Sequence, residues 1–101
     1  MSELYTINFD AESQLFHVSG ELTLETAVAV VTETEGLFEK VAAIEVDLGG
    51  VSRSDSAGLA LMINWMRLAH QADKRIRFHN LPAQMLAIAK ASGLDEVLPL
   101  Q

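Results

Sequence analysis

Large apolar residues alternate with polar ones at the start of the chain. Over Leu4–Phe9 every second side chain is aromatic or aliphatic, which is the period of a strand with one buried face. Asp10–Ser13 is a polar turn, and the apolar positions resume over Gln14–Ser19 before Gly20 closes the segment. These two segments predict a β-hairpin.

The next segment has the period of an amphipathic helix. Thr23 is a suitable N-cap for a helix that we expect from Leu24 to about Lys40. Its polar face carries Glu25 and Glu33. Its apolar face, at the spacing of successive turns, consists of Leu24, Ala27 or Val28, Val31, Thr34 or Glu35, and Phe38.

Periodicity and turn residues predict four further elements. They are a central strand over Ala43–Leu48, a helix from about Ser56 to Ala72, a strand over Arg75–His79 and a helix from Pro82 to about Ser92. Gly93 is typical of the residue that follows a helix.

The order of these elements predicts the class of fold. Strands joined through helices pair in parallel with right-handed crossovers, whereas the initial hairpin adds an antiparallel edge. We therefore expect an α/β fold with a mixed, mostly parallel sheet and three main helices. The chain has 101 residues and neither a repeat nor a linker, so residues 1–101 are expected to form one domain.

Composition and charge exclude several classes of function. The absence of cysteine excludes disulfides and thiolate metal sites, and the three histidines lack metal-ligand spacing. The net charge of −7 argues against nucleic acid as a partner, because the phosphate backbone requires clustered bases. Lys40 is the only base before Arg53, so a surface for an acidic partner is expected in the second half of the chain.

No segment has the character of a membrane span or a signal peptide. Every apolar stretch is shorter than the roughly 18–20 residues that cross a bilayer, and the first residues lack a basic flank and a long apolar run. We expect a cytoplasmic protein that does not itself insert into the membrane.

The segment SRSDSAGL, Ser52–Leu59, carries the densest candidate chemistry of the chain. It leads from the central strand into the second helix, and loops at the carboxyl ends of parallel strands are where ligands and partners tend to bind. Asp55 or Ser56 is expected to cap that helix. The same helix start also favours an anion, so binding of a small anion or nucleotide is one possible function.

The helix that follows is apolar on two sides. One side is a core face of Leu59, Met62, Ile63, Met66 and Ala69; the other carries Ala57, Leu61, Trp65 and Leu68, interrupted by Asn64 and bordered by Arg67 and Gln71. Either the helix is sandwiched inside the domain, with the tail segment Leu98–Leu100 as a candidate cover, or it presents an apolar strip to a partner. We favour the partner, and self-association of the isolated chain through that strip is also open.

Catalytic motifs are absent from this segment. The residue two positions before Ser56 is Ser54, so the GxSxG motif is missing, and Gly49-Gly50 is not part of a GxxxxGK[ST] loop. We expect a protein that is not an enzyme and that has no cofactor and no bound metal.

The stretch VDLGGVSRSDSAGLALM resembles the central motif of STAS domains, in which a strand ending in D-L is followed by a short loop and D-S/T-x-G-L. GELT at Gly20–Thr23 is similar to the family's entry into its first helix. The family contains anti-sigma-factor antagonists and cytoplasmic domains of sulfate transporters. In the antagonists a kinase phosphorylates the serine before the motif glycine, and here that position is Ala57, which has no hydroxyl to modify.

Within the family the chain is most similar to the MlaB type, the small STAS subunit of the Mla phospholipid transporter. That type reads D-T-G-G-L-A-L where this chain has Asp55-Ser56-Ala57-Gly58-Leu59-Ala60-Leu61, and Ala89-Lys90 and Val97-Leu98-Pro99 also match. The resemblance implies docking to the ATPase subunit of an ABC transporter through the hydroxyl residue and the helix after it. It further implies a location at the inner membrane through that partner.

The resemblance assigns partner-binding roles to one set of residues. Ser56 is expected to form a hydrogen bond at the contact and to cap its helix, and Arg53 is expected at the rim. The full set is Arg53, Asp55, Ser56, Ala57, Leu61, Asn64, Trp65, Arg67 and Leu68. The alternative is an anti-sigma-factor-antagonist-like signalling protein that is phosphorylated at Ser56 or Ser54.

Overall fold

A computed structural model describes residues 4–101 as four strands and three helices. In chain order these are β1 Tyr5–Asp10, β2 Leu15–Leu22, α1 Ala27–Phe38, β3 Ala43–Ser54, α2 Ser56–Gln71, β4 Arg75–His79 and α3 Ala83–Ala91. The predicted order and type of every element are confirmed.

One sheet contains the four strands in the order β1-β2-β3-β4. β1 and β2 form the antiparallel hairpin, with Ile7 opposite Val18. β2 pairs with β3 in parallel, and so does β3 with β4, where Val46 lies opposite Phe78. The predicted α/β fold with a mixed, mostly parallel sheet is therefore confirmed.

Alternate residues of β2, β3 and β4 face one core. Phe16, Val18, Val46, Leu48 and Phe78 are all buried, and they belong to the same cluster as the buried residues of the three helices. Since strand side chains alternate between the two faces of a sheet, the helices cover one face.

The opposite face of the sheet is polar and is organised around Glu45 in β3. The guanidinium of Arg77 donates two hydrogen bonds to Glu45 Oε2, at 3.0 and 2.6 Å, and His79 Nε2 lies 2.6 Å from Oε1. Arg75 is 3.6 Å from the same carboxylate. Partial burial by itself would raise the pKa of Glu45, but the hydrogen bonds from Arg77 and His79 outweigh it and hold that pKa below its usual value.

The first helix begins later in the chain than its sequence pattern predicts. It starts at Ala27, after Thr26 rather than Thr23, because Thr23–Thr26 folds as a turn in which the Thr26 hydroxyl accepts a hydrogen bond from Thr23 N at 3.0 Å. The buried positions are Val30, Thr34 and Phe38.

The central strand is longer than its sequence pattern predicts. β3 continues through the two glycines to Ser54, because Ser19–Leu22 of β2 keeps pairing with it up to Leu22 opposite Ser54. The first three residues of SRSDSAGL are therefore strand rather than loop.

The tail after α3 packs on the free edge of β4. Phe78 N donates to Pro99 O at 3.0 Å, and Gln101 N donates to Phe78 O at 2.8 Å, so the tail adds a short parallel bridge at Leu100. Gly93 occupies a left-handed conformation at the end of α3 with φ of +71°, as its predicted position after that helix requires.

No helix among residues 4–101 is long and apolar enough to cross a membrane.

Candidate docking surface at the start of the second helix

The junction between β3 and α2 is fixed by a buried serine and a glycine. Ser54 Oγ donates to Leu22 O at 3.0 Å, and its side chain is almost completely buried. Gly58 packs so closely on Ser54 Oγ that a β-carbon would collide with it, and the same β-carbon would lie 3.1 Å from Leu22 O, a tight contact. The first turn of α2 is thereby held against the end of β2.

Asp55 connects the beginnings of two helices. Its Oδ1 accepts a hydrogen bond from Ala57 N at 2.8 Å, which caps α2, and its Oδ2 accepts one from Leu24 N at 3.3 Å. The capping residue is therefore Asp55, and the prediction that Ser56 caps the helix is wrong: Ser56 lies inside the first turn, and the aspartate before it reaches back to the free N–H group.

The Asp55 carboxylate also bears on anion binding at this helix start. It is bonded to one of the backbone N–H groups that would receive an anion, and it places a negative charge at the positive end of the helix dipole. A phosphate would meet repulsion there, so the geometry disfavours an anion site.

Ser56 is the first residue of α2 and is exposed to solvent. Within residues 4–101 its hydroxyl has no hydrogen-bond partner. Ala57 beside it is half-buried and offers only its β-carbon. The junction therefore presents one free hydroxyl, at Ser56, while the hydroxyl of Ser54 is buried and engaged.

The expected strip on the far side of α2 is internal. Trp65 is completely buried and Leu61 is 2% exposed, so the prediction that they form a partner-binding surface is wrong. The cover is α1: Trp65 Nε1 donates to Thr34 Oγ1 at 2.9 Å, and the Trp65 ring meets Phe38 edge-on at 5.9 Å. Sequence periodicity shows that a helix has two apolar faces, but it does not show which neighbouring element covers each of them.

The remaining predicted site residues differ in exposure. Leu68 and Asn64 are half-buried, and the Asn64 amide nitrogen is buried without a hydrogen-bond partner within the described chain. Arg67 is exposed on the outer face of α2. Arg53 is also exposed, with NH1 3.7 Å from Glu21 Oε1. Arg53 and Arg67 are thus available to a partner, whereas Leu61 and Trp65 are not.

Two apolar residues around the start of α1 are exposed, although the sequence pattern assigns Leu24, and either Ala27 or Val28, to the apolar face of this helix. Leu24 is 80% exposed and Val28 is 79% exposed. Leu24 is joined to Asp55 through its backbone N–H, and Val28 lies in the first turn of α1, which begins at Ala27. We name the group Leu24, Val28, Asp55, Ser56 and Ala57 the Ser56 surface. The available signal was the density of apolar residues in Ala27–Val31, which exceeds what one helix face can bury.

The described residues contain no cluster of three or more histidine, aspartate and glutamate side chains with the geometry of a metal site.

Two open depressions of about 380 and 520 Å³ lie toward the other end of α2, around Lys74. Lys74 Nζ donates to the carbonyls of Phe38 and Glu39, at 2.9 and 3.2 Å. Neither depression includes a residue of the Ser56 surface.

The family comparison and the comparison with solved structures agree with the fold described above. Residues 5–100 match the family described as "Mlab, STAS domain". No curated protein matches the chain.

Among solved structures, the fold is similar to a putative anti-sigma factor antagonist from Thermotoga maritima, with a TM-score of 0.74 at 14% identity over 95% of this chain and 84% of that one. The anti-sigma factor antagonist SpoIIAA in its unphosphorylated form gives a TM-score of 0.71 at 17% identity, over 96% of this chain and 87% of that one. An anti-sigma factor antagonist from Mycobacterium paratuberculosis gives 0.73 at 20% identity, over 95% and 84%. At these identities the likeness is one of fold.

Proposed function

The chain belongs to the STAS domain family of the Mlab type, and on that premise we propose that it is a non-enzymatic subunit that binds the ATPase subunit of an ABC transporter in phospholipid trafficking. Its role there is to regulate or stabilise that ATPase. It acts in the cytoplasm and reaches the inner membrane only through this partner.

The observation that carries this proposal is the exposed Ser56 hydroxyl, which directly follows Asp55, whose side chain accepts a hydrogen bond from the backbone of the exposed Leu24. Ser56 has no hydrogen-bond partner among residues 4–101, while Leu24 and Val28 leave about four fifths of their surface in water. A central apolar contact with one directional hydrogen bond and charged residues at its rim is the usual composition of a protein interface. Arg53, two residues before Asp55, supplies the rim, where charge steers association more than it adds affinity.

Hydrogen bonds and close packing hold the junction between β3 and α2 in place without a partner. Asp55 bonds to both helix starts, and Ser54 and Gly58 hold α2 against β2. A partner therefore meets a surface whose backbone is fixed before binding, which lowers the entropy lost on association.

A phosphorylation switch is the second candidate, and only one hydroxyl of this junction could serve it. Ser54 is 4% exposed and bonded to the Leu22 carbonyl, so a kinase cannot reach it without unfolding the junction, whereas Ser56 is exposed. A phosphate on Ser56 would lie beside the Asp55 carboxylate, and the repulsion between like charges disfavours that state.

The test is to purify the tagged chain from its own cells and to measure both its partners and its mass. Stoichiometric recovery of an ABC-transporter ATPase with an unmodified chain supports the proposal. Recovery of a protein kinase, together with an intact mass raised by one phosphate, would replace it with the signalling switch. Ser56→Ala separates the two further, because it removes a phosphate acceptor completely but removes only one hydrogen bond from a docked complex.

A further inference from the structure

The larger of the two depressions is a groove between α2, β4 and the tail. Its volume is about 520 Å³, which is within the range of sites that bind small molecules. We name it the tail groove. Its apolar lining comes from all three segments and consists of Ile63, Met66, Ala69, Ile76, Val97 and Pro99.

The chain covers only part of this apolar lining. Ile63 and Met66 belong to the face of α2 that the sequence pattern assigns to the core, yet both are half-buried, and Val97 is 62% exposed. Removal of such surface from water favours the binding of an apolar group. The flexible Met66 side chain can adjust its shape to that group.

Hydrogen bonds fix the tail that forms one wall of the groove. Phe78 N donates to Pro99 O at 3.0 Å, which joins the tail to β4, and Leu98 N donates to Leu94 O at 3.0 Å. The wall is therefore in place before a ligand binds, which lowers the entropy lost on binding.

The titratable side chains that line the tail groove are all bases, namely Arg67, His70 and Lys74. Among residues 4–101 neither Arg67 nor His70 forms an ion pair, whereas each of the other three arginines lies 2.6–3.7 Å from a carboxylate oxygen. In a chain with a net charge of −7, this groove is thus a local site of positive charge, and it is complementary to an anion.

Lys74 can contact an anion while it keeps its own hydrogen bonds. Its ammonium group has three N–H donors, and two of them are used by the carbonyls of Phe38 and Glu39. The last carbonyl groups of α2 are bonded to the backbone N–H groups of residues 72–74, so they present less negative partial charge to an anion at this helix end.

The neighbouring depression of about 380 Å³ has a different chemistry. It contains Glu35 and Glu39 as well as Lys74, and the two carboxylates would repel an anion. Asp73 and Glu96 are adjacent in sequence to residues of the tail groove, but neither of them lines it. The complementarity to an anion is therefore specific to the tail groove.

The lining along α2 changes from apolar at Ile63 and Met66 to basic at His70, and Lys74 continues it past the helix. At 1.5 Å per residue, Ile63 and His70 are about 10 Å apart along the axis. We propose that the tail groove binds a free single-chain amphiphile with an anionic head group, of the fatty-acid class. The chain lies on the apolar lining, and the head group contacts Arg67, His70 and Lys74.

The size of the groove favours this ligand over a protein partner. A protein interface covers about 800 Å² on each partner, whereas the tail groove is a local concavity between three segments. The groove shares no residue with the Ser56 surface, and the proposal does not depend on the proposed function.

The experiment titrates the natural chain with decanoate, with decanol, which has the same chain without the charge, and with acetate, which has the carboxylate without the chain. We expect decanoate to bind at least about tenfold more tightly than either of the others in calorimetry, and salt to weaken it. Equal affinity for decanoate and decanol, or for decanoate and acetate, would overturn the proposal. So would binding to phosphatidylglycerol vesicles without binding to decanoate, because that result indicates a membrane surface.

Two matched pairs of variants locate the site. Arg67 and Arg53 are both exposed, and only Arg67 lines the tail groove. We expect Arg67→Glu to weaken decanoate binding at least about fivefold, as loss of a charged hydrogen bond does, while Arg53→Glu leaves it unchanged. Likewise Val97→Ser should weaken it and Val28→Ser should not. Equal effects within both pairs would overturn the proposal without bearing on the Ser56 surface.

Discussion

The Asp55 carboxylate accepts a hydrogen bond from the backbone N–H of Leu24, 31 positions earlier in the chain, at 3.3 Å. The same carboxylate caps α2 through Ala57 N. One side chain thus sets the position of the exposed Leu24 relative to the exposed Ser56. It makes a single surface of two segments that sequence alone does not bring together.

Asp55→Asn separates the two tasks of this side chain. The amide oxygen can still cap α2 through Ala57 N, but the amide nitrogen cannot accept the hydrogen bond from Leu24. We expect Asp55→Asn to lose less stability than Asp55→Ala, which removes the cap as well and should cost about 0.5–2 kcal/mol. Urea unfolding followed by the fluorescence of Trp65, the only tryptophan, measures both. Equal losses in the two variants would mean that the cap contributes nothing.

Thr34→Val should destabilise the domain through a residue that is completely buried. The change leaves the indole N–H of Trp65 without its acceptor at 2.9 Å, and an unsatisfied buried donor costs about 1–3 kcal/mol. Thr34→Ser keeps the hydroxyl and serves as the matched control. If both variants unfold at the same urea concentration as the natural chain, the hydrogen bond between Trp65 and Thr34 contributes nothing to the stability of the domain.

Gly58→Ala and Gly36→Ala should change the stability of the domain in opposite directions. A β-carbon at Gly58 collides with Ser54 Oγ and lies in tight contact with the Leu22 carbonyl, whereas one at Gly36 in α1 meets no atom within 4 Å. We expect Gly36→Ala to stabilise the chain by about 0.5–1 kcal/mol, because alanine is the better helix former, and Gly58→Ala to destabilise it. Thermal unfolding measures the two together, and a stabilising Gly58→Ala would contradict the packing described at the junction.

Glu45→Gln should make the chain less sensitive to acid. The pKa of Glu45 lies below its ordinary value of 4.5 in the folded protein, so its contribution is present above that pH and is lost as the pH falls through the lower folded value. Arg75, Arg77 and His79 face this carboxylate. The loss of charge-assisted hydrogen bonds should cost about 1–3 kcal/mol at neutral pH.

Urea unfolding at a series of pH values measures the difference between the natural chain and Glu45→Gln, with the exposed Glu25→Gln as control. The difference should shrink as the solution is acidified below pH 4.5. A difference that grows toward acid pH would reverse the sign of the proposed linkage.

The order of elements follows from the sequence because period, caps and turn residues act locally. The period of Arg75–His79 and the glycine after α3 predict elements that the structure confirms. The rotation of α1 is not local. All five residues of Ala27–Val31 are apolar, so apolar side chains lie on more than half of the circumference of the helix there. The period alone therefore cannot decide whether Val28 or Val30 faces the core.

Two residues show the consequence for the candidate site. Trp65, an aromatic on a second apolar face, has the composition of an interface residue but is covered by Thr34 and Phe38. Leu24 has the position of a core residue but is exposed, because the turn before α1 directs it outward. The contact between α1 and α2 that covers Trp65 is long-range, and no pattern within either helix encodes it.

The central claim is that the Ser56 surface docks an ATPase, and a matched pair of valines tests it most directly. Val28 lies on that surface and is 79% exposed, whereas Val97 lies in the tail and is 62% exposed. Val28→Ser and Val97→Ser therefore make the same chemical change at similar exposure, and neither should alter folding. Binding of each purified variant to the purified ATPase subunit is measured by titration calorimetry.

We expect Val28→Ser, and likewise Ser56→Ala, to weaken binding at least about tenfold, as loss of a central interface contact does, while Val97→Ser binds as the natural chain does. Equal affinity of Val28→Ser, Val97→Ser and the natural chain would contradict the claim, as would the absence of any binding by the natural chain.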